Sequence, residues 1–425
     1  MVSPNPTKPH IQPLTHYSLN LEIHPSDNLI KVAGSMNLHA SGQTIHSLEL
    51  LLHKQLVIQS LSGDQVEDFC FDQHSSSPIP YQPEAKPLNV HLNPPVEPDK
   101  NTQIKFCYEG KITAWPSYSC NVITPDWVEL GMYFPWYPML TDLSQKITFN
   151  LEVTCQPGWM VTGYSEFSLS NQAWKASWQH LAQDIVVIAS PTLHQKIIRN
   201  TNSQINLFTS TFNRESSQLL GETSLLALST FAEWFGLTEP DTFSIIQSPR
   251  QKGGGYGRRG LVVLGGIDQS DFLNRPEVYL RYLAHEIAHA WWWKAPVDTW
   301  HDWLNEGLAE ISAQLLVAKR FGQEAYYRRM DNKRKNAAGM GPLWGFDRLD
   351  QSTPVKQERC ERLLYDRGTV ILHDLRNRVG DDQFLAFCKR FHQMDRPTTQ
   401  SFITLIQGMF GKIISQWLEV QLKEV

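Results

Sequence analysis

The chain changes its hydrophobic rhythm part-way along. Before about residue 195, apolar and polar residues alternate: Tyr17, Leu19, Leu21 and Ile23; Ile30, Val32, Met36 and Leu38; Ile104, Phe106 and Tyr108; Ile147, Phe149, Leu151 and Val153. A period of two puts successive side chains on opposite faces of a sheet, so these runs predict half-buried antiparallel strands. Residues 74–100 hold seven prolines and read as an extended loop between strands, since proline cannot donate to a ladder. After residue 196, Gln204–Thr209 and Phe243–Gln247 read as strands, and the period then lengthens to that of a helix. This order predicts an α+β protein: an antiparallel β-sandwich-like domain over 1–195, then a mostly helical domain over 196–425.

The helical half carries the chemistry. From Pro276 to Trp291 the apolar positions Leu280, Leu283, Ala284, Ile287 and Ala288 follow a helical period, so His285 and His289 sit one turn apart on one face. Two imidazoles at that spacing can bind one tetrahedral metal ion, with Glu286 beside the place where a bound water lies. Each histidine alone would read as an ordinary core or surface imidazole. What shifts the reading is Leu304-Asn305-Glu306-Gly307, which opens a second helical pattern, running to about Arg320, that can pack against the first. Glu306 can then supply a third ligand. Two histidines and one carboxylate leave a fourth position open, which is the catalytic zinc arrangement and not the closed structural one. One Zn2+ per chain is the expectation.

Three segments carry a resemblance: His285-Glu-Ile-Ala-His-Ala-Trp291, Trp300-His-Asp-Trp-Leu-Asn-Glu-Gly307 and Tyr365-Asp-Arg-Gly368. On these the chain resembles the aminopeptidase N and leukotriene hydrolase type of zinc metallopeptidases, within the gluzincins. The resemblance implies a thermolysin-like catalytic zinc-peptidase domain behind a β-rich N-terminal domain. It implies peptide-bond hydrolysis, aminopeptidase-like, by a zinc-activated water, with Glu286 as general base and then acid and Tyr365 stabilising the oxyanion. Glu310, one turn beyond Glu306, either orients a zinc-bound imidazole or is a salt-bridged helix carboxylate. The interval from His289 to Glu306 is shorter than the family usually has, and the difference falls in the loop from Trp293 to Trp300. Family members usually continue into a large helical domain, which this resemblance does not reach, so an open cleft or one closed by a partner is expected.

A second departure bears on specificity. The family's Gly-Ala-Met-Glu-Asn loop holds the substrate's free amine through its glutamate, and in this chain the corresponding position is Gly257, with Arg258 and Arg259 beside it. Gly254, Gly255, Tyr256, Gly257 and Arg258 are expected to bind substrate through the backbone, leading into Leu261–Leu264 as an edge strand that pairs with an extended peptide. Arg250, Lys252, Arg258 and Arg259 make either a basic lip for a carboxylate or a solvated loop. Trp291, Trp292, Trp293, Trp300 and Trp303 read first as packing between the two ligand helices and second as a pocket wall.

Composition narrows the class. With 425 residues, 41% hydrophobic and 19% charged, the chain fits two globular domains. A formal net charge of −5 offers no electrostatic footprint for nucleic acid. No signal-peptide core and no apolar run long enough for a membrane span occurs, and the six cysteines form no Cys-x-x-Cys pair, so a cytoplasmic setting is expected. The expected partner is a peptide substrate, with no nucleic acid and no membrane; oligomeric state leaves no trace. Two alternatives stand beside the aminopeptidase-like reading: a non-catalytic zinc-containing binding or scaffold protein, and a peptidase that does not require a free N-terminal amine.

Overall fold

The computed structural model describes residues 15–424 except 81, 116–120, 143–145, 165, 201–202, 238–241 and 252–253. The chain separates into two compact units, one ending at Pro191 and the other starting at Thr192.

In the first unit the alternating runs pair with one another. A seven-stranded sheet runs in the order Ser168–Ser170, Ala173–Ala182, Ile147–Thr154, Thr15–His24, Leu29–His39, Asn101–Lys111, Val57–Ser62. Tyr17, Leu19, Leu21, Ile23, Ile30, Val32, Met36 and Leu38 are all buried, as the period of two requires of one sheet face. One pair departs from the antiparallel expectation: Thr15–His24 runs parallel to Ile147–Thr154, with Tyr17 beside Phe149 and Leu19 beside Leu151. The Tyr17 and Tyr108 hydroxyls donate across the interior to the carbonyls of Pro138 (2.6 Å) and Trp136 (2.9 Å), which lead into Met139–Leu140 at the edge of a four-stranded sheet. A third sheet, also of four strands, contains Val187–Ser190.

The proline-rich stretch is a correction. Ala85–Val96 is a strand lying between Ile45–His53 and Val66–Phe71, not a loop. Its Leu88, Val90 and Leu92 are buried, which gives the segment the same inward face as its neighbours. Pro94 and Pro95 fall where the register with Ile45–His53 slips between Ile45 and Ser47, and the ladder on the other flank ends at Leu92. No backbone donor is needed there, so both prolines are tolerated in a central strand.

The second unit is built on a five-stranded sheet in the order His194–Arg199, Gln204–Thr209, Thr242–Gln247, Leu261–Leu264, Tyr256–Arg258. A helix the strands-then-helices reading did not contain, α1 (Arg214–Phe235), joins two parallel neighbours, Gln204–Thr209 and Thr242–Gln247. Asn213 caps it by accepting the Ser216 N–H, it buries Leu220, Leu228, Phe231 and Phe235, and it stops at Gly236, whose φ of 95° suits glycine. Parallel strands need such a crossover. The remaining helices are α2 (Gln269–Asn274), α3 (Pro276–Ala288), α4 (Trp303–Phe321), α5 (Gln323–Ala337), α6 (Pro354–Glu361), α7 (Gly368–Val379), α8 (Asp381–His392), α9 (Thr399–Phe410) and α10 (Lys412–Lys423). Between α6 and α7 the chain takes a π-helical turn, Arg362–Arg367.

A second correction concerns the sheet edge. Leu261–Leu264 is internal, paired on both sides, and the edge strand is Tyr256–Arg258. The four apolar residues 261–264 are wholly buried, the signature of a strand covered on both faces. Among the described residues no helix is long and apolar enough to cross a membrane.

Candidate metal centre and active site

Two helices bring the centre together. Helix α3 starts on Pro276 at its first turn and ends with His289 as its C-cap, so His285 and His289 occupy the last turn with their rings 5.0 Å apart and nearly perpendicular. Helix α4 follows a short 3-10 turn, Trp300–Asp302, and presents Glu306 from its own first turn. Asn305 fixes that turn to the connecting loop. Its side chain accepts the Ala295 N–H at 3.1 Å and donates to Ala295 O and Asp302 Oδ1, both at 3.0 Å. The loop between the two helices is thus held to α4 by two hydrogen bonds at Ala295, and the third steadies the turn that opens α4.

Glu306 Oε2 lies 3.3 Å from His285 Nε2 and 3.5 Å from His289 Nε2. The ligand atoms of His285, His289 and Glu306 lie within 4.8 Å of one another, a constellation that can hold a metal ion. The far nitrogens both face acceptors: His285 Nδ1 lies at ion-pair distance from Glu310 Oε2, 2.9 Å, without an aligned hydrogen bond, and His289 Nδ1 donates to Trp292 O at 2.9 Å. Engaging Nδ1 leaves Nε2 as the free lone pair of each ring, the tautomer a metal needs. Glu306 Oε2 is buried with no hydrogen-bond donor in line with it. A buried carboxylate oxygen that makes no aligned hydrogen bond and meets only two converging imidazole nitrogens leaves lone pairs aimed at one point, so the residues fit Zn2+ by atom type, number and convergence.

The electrostatics agree. Burial opposes the imidazolium at His285, yet Glu306 and Glu310 outweigh it and carry the group up to about 10. Burial likewise disfavours the Glu306 carboxylate, but His289 and His285 hold it far below the usual range. Around one point the protein has packed buried groups of opposite charge that hold one another ionised. Glu286, 7% exposed, is raised chiefly by burial, with His285 and His289 opposing. A carboxylate shifted upward beside a ligand pair is suited to accept a proton.

Glu310 is buried beneath His285 among Arg281, Lys333 and Gln314. Burial works against its charge, but Lys333, His285 and Arg281 keep it ionised. Arg281 stands one turn before His285 on α3, a spacing the sequence displayed and a reading from ligands alone passed over. Nothing local marked Lys333 or the buried pair of Asp302 with Arg348 (3.0 Å).

Tyr365 stands in the π-helical turn, its ring 5.6 Å from that of His285. Such turns are rare and concentrate at functional sites. The glycines of the two motifs explain the proximity. A Cβ on Gly307 would meet Gly368 C at 3.3 Å, and one on Gly368 would meet Trp303 Cε3 at 3.3 Å. Helices α4 and α7 cross glycine against glycine, which brings the Tyr365 turn up to the first turn of α4.

The glycine-rich segment lies against α3. Gly254 is exposed, while Tyr256, Gly257 and Arg258 form the sheet edge. A Cβ at 257 would sit 2.2 Å from the Glu286 carbonyl and 3.0 Å from His289 Cβ. The backbone of α3 occupies the space that a side chain at position 257 would need. The basic lip is also revised. Arg258 is buried, donates to Gly257 O at 2.9 Å and stacks over Tyr256, and Arg259 lies over Trp293. Lys252 lies outside the described residues. Trp291, Trp292 and Trp303 are buried, with Trp292 Nε1 donating to Ser312 Oγ at 2.9 Å and Trp303 Nε1 to Thr399 Oγ1 at 2.9 Å, which is core packing.

Residues 268–420 match the model of the Peptidase family M1 domain. Among solved structures, the chain is similar to the M1 zinc metallopeptidase from Deinococcus radiodurans, at 17% identity over 96% of this chain and 93% of that one, with a TM-score of 0.74. It is similar as well to a mutant of that enzyme bound to a Tyr-Ser-Ala substrate, at 17% identity, the same coverages and a TM-score of 0.71. Those likenesses establish the two-part α+β fold. No curated protein matches the chain in sequence.

Proposed function

We propose, for a chain whose residues 268–420 match the Peptidase family M1 domain, that it hydrolyses peptide bonds with one zinc ion held by His285, His289 and Glu306. The observation that carries this is the convergence of their three ligand atoms, with Glu306 Oε2 buried and without a donor. When bound, zinc supplies Lewis-acid polarisation and lowers the pKa of a water to about 7. Glu286 takes the proton of the attacking water and returns it to the leaving amine. The Tyr365 hydroxyl donates to the carbonyl oxygen as negative charge develops there. Glu310 and the Trp292 carbonyl hold the two imidazoles in the tautomer that presents Nε2. The edge strand Tyr256–Arg258 offers backbone to an extended peptide.

A second reading concerns the substrate's end. An acidic anchor for a free amine has no room at position 257, which favours a peptidase whose substrates need no free N-terminus over a strict aminopeptidase. The test is mass-spectrometric cleavage of a peptide pool with free and acetylated N-termini, by zinc-loaded protein beside Glu286→Gln. The mutant is expected to keep zinc and lose turnover by about 10²- to 10⁴-fold; wild-type protein no more active than the mutant would refute the peptidase reading. Cleavage confined to free N-termini would remove the second reading.

A further inference from the structure

We infer that Lys333 is a positioning residue that holds two parts of the proposed centre in register: the carboxylate behind His285 and the turn that presents Tyr365. The inference rests on the peptidase reading above. Lys333 belongs to α5, a helix whose other lysines and arginines mostly face solvent, yet its side chain is only 11% exposed. Its ammonium donates hydrogen bonds to the Tyr365 carbonyl at 2.9 Å and Asp366 Oδ1 at 3.1 Å, and forms an ion pair with Glu310 Oε1 at 3.0 Å. Two hydrogen bonds and a paired carboxylate are what make a buried lysine tolerable.

Each acceptor has a second commitment. Glu310 faces His285 with its other oxygen at 2.9 Å. Asp366 accepts from Arg362 at 3.1 Å, and the Tyr365 carbonyl also accepts the Thr369 hydroxyl at 2.7 Å. The ammonium is therefore the point where α4, α5 and the π-helical turn are joined by charge-assisted bonds, which are the strong ones. A π turn gives up regular helical geometry, so the place of Tyr365 depends on partners outside its own helix. Lys333 acts through these groups and not on substrate.

The test is Lys333→Met, which keeps the apolar stem and removes the charge and all three donors. Loss of an orienting partner typically costs about 10- to 100-fold. We expect kcat to fall within that range, KM to stay within about twofold, the zinc-to-protein ratio to hold, and only part of the loss to remain in a Tyr365→Phe background, because the share carried through the phenol is already gone there. A readout independent of turnover is the ring N–H of His285 facing Glu310 in the zinc-loaded protein, whose exchange with solvent should quicken by roughly tenfold. A kcat within about threefold of wild type, or a loss that multiplies fully onto Tyr365→Phe, overturns the inference and leaves the peptidase reading intact. Wild-type protein no more active than Glu286→Gln removes that reading and the inference with it. If Lys333→Met does not fold, Asp366→Asn weakens one of the three contacts and is held to the same two criteria, with a kcat loss of roughly fivefold.

Discussion

Adding a single methyl group at Gly257 should disable the centre without touching a ligand. In Gly257→Ala the new Cβ would lie 2.2 Å from the Glu286 carbonyl oxygen and 3.0 Å from His289 Cβ. Real Cβ contacts do not fall below 3.0 Å, so the edge strand and α3 must part by at least 3.0 − 2.2 = 0.8 Å. Both groups that resist are backbone or ligand-bearing, and neither can swing aside like the end of a flexible side chain. Overpacking of this kind costs about 1–3 kcal/mol, or roughly 2–4 °C in melting temperature per kcal/mol for a unit of this size. The catalytic cost is larger, since a displacement of about 1 Å at a reacting centre can cost about 10²-fold. The assay is kcat/KM on a cleaved peptide together with zinc content and thermal melting of the same preparation. Wild-type turnover and melting in Gly257→Ala would refute the close approach. Gly257→Glu, which restores the family's acidic anchor in name, is expected to lose activity as well, and a gain in hydrolysis of free-amine substrates would count against the packing argument.

Three further outcomes follow from the same structure. His289→Ala removes one of three converging ligands, so zinc should be lost on dialysis; an unchanged metal-to-protein ratio sinks the ligand assignment. Tyr365→Phe is expected to lower kcat by about 10²- to 10³-fold, the usual cost of one oxyanion donor, with KM little changed, and a wild-type kcat would exclude the phenol from the reaction. In the first unit, burial pushes His53 down to about 4, with Lys54 and Lys86 assisting against the Ala114 hydrogen bond and Glu84. Its Nε2 donates to Ala114 O at 3.0 Å while Nδ1 accepts the Gln55 N–H at 3.2 Å, so a second proton has no acceptor. Because the folded value lies below the unfolded 6.5, the unfolded chain binds the extra proton: stability is intact above pH 6.5 and falls as the pH drops toward 4. The loss is about 3 kcal/mol at 1.36 kcal/mol per pH unit. His53→Gln keeps the donor and cannot titrate, so its unfolding free energy relative to wild type should change by about that amount between pH 7.5 and 4; a constant difference would show that His53 is not buried neutral.

Much of the centre was legible because its signals are local. The spacing of His285 and His289 is a property of one helix, and the period-two runs around Tyr17 and Ile147 announce an inward face whatever they pair with. The errors were equally physical. Proline density over 74–100 was read as chain irregularity, whereas Pro94 and Pro95 use a slip in register that only the neighbouring strands define. Leu261–Leu264 was placed at the edge because its glycine-rich flank looked like one, and the strand order put Tyr256–Arg258 outside it. Arg258 and Arg259 look like surface charge in sequence, and only the fold sets them over the rings of Tyr256 and Trp293 and gives Arg258 the Gly257 carbonyl.

The sequence by itself indicated the class of chemistry through two imidazoles one turn apart with Glu286 between them, because that relation follows from 3.6 residues per turn along a single helix; the approach of Glu306 from α4 is tertiary. It also indicated the inward faces of the strands before residue 195, through the period of burial. Tertiary structure alone decided that Gly257 has no room for a side chain, that the glycines of two distant motifs meet and bring Tyr365 near His285, and that Lys333 lies among Glu310, Tyr365 and Asp366. Those facts depend on how strands and helices far apart in the chain close on one another, and a residue's neighbours in sequence carry no record of the partners that such packing selects.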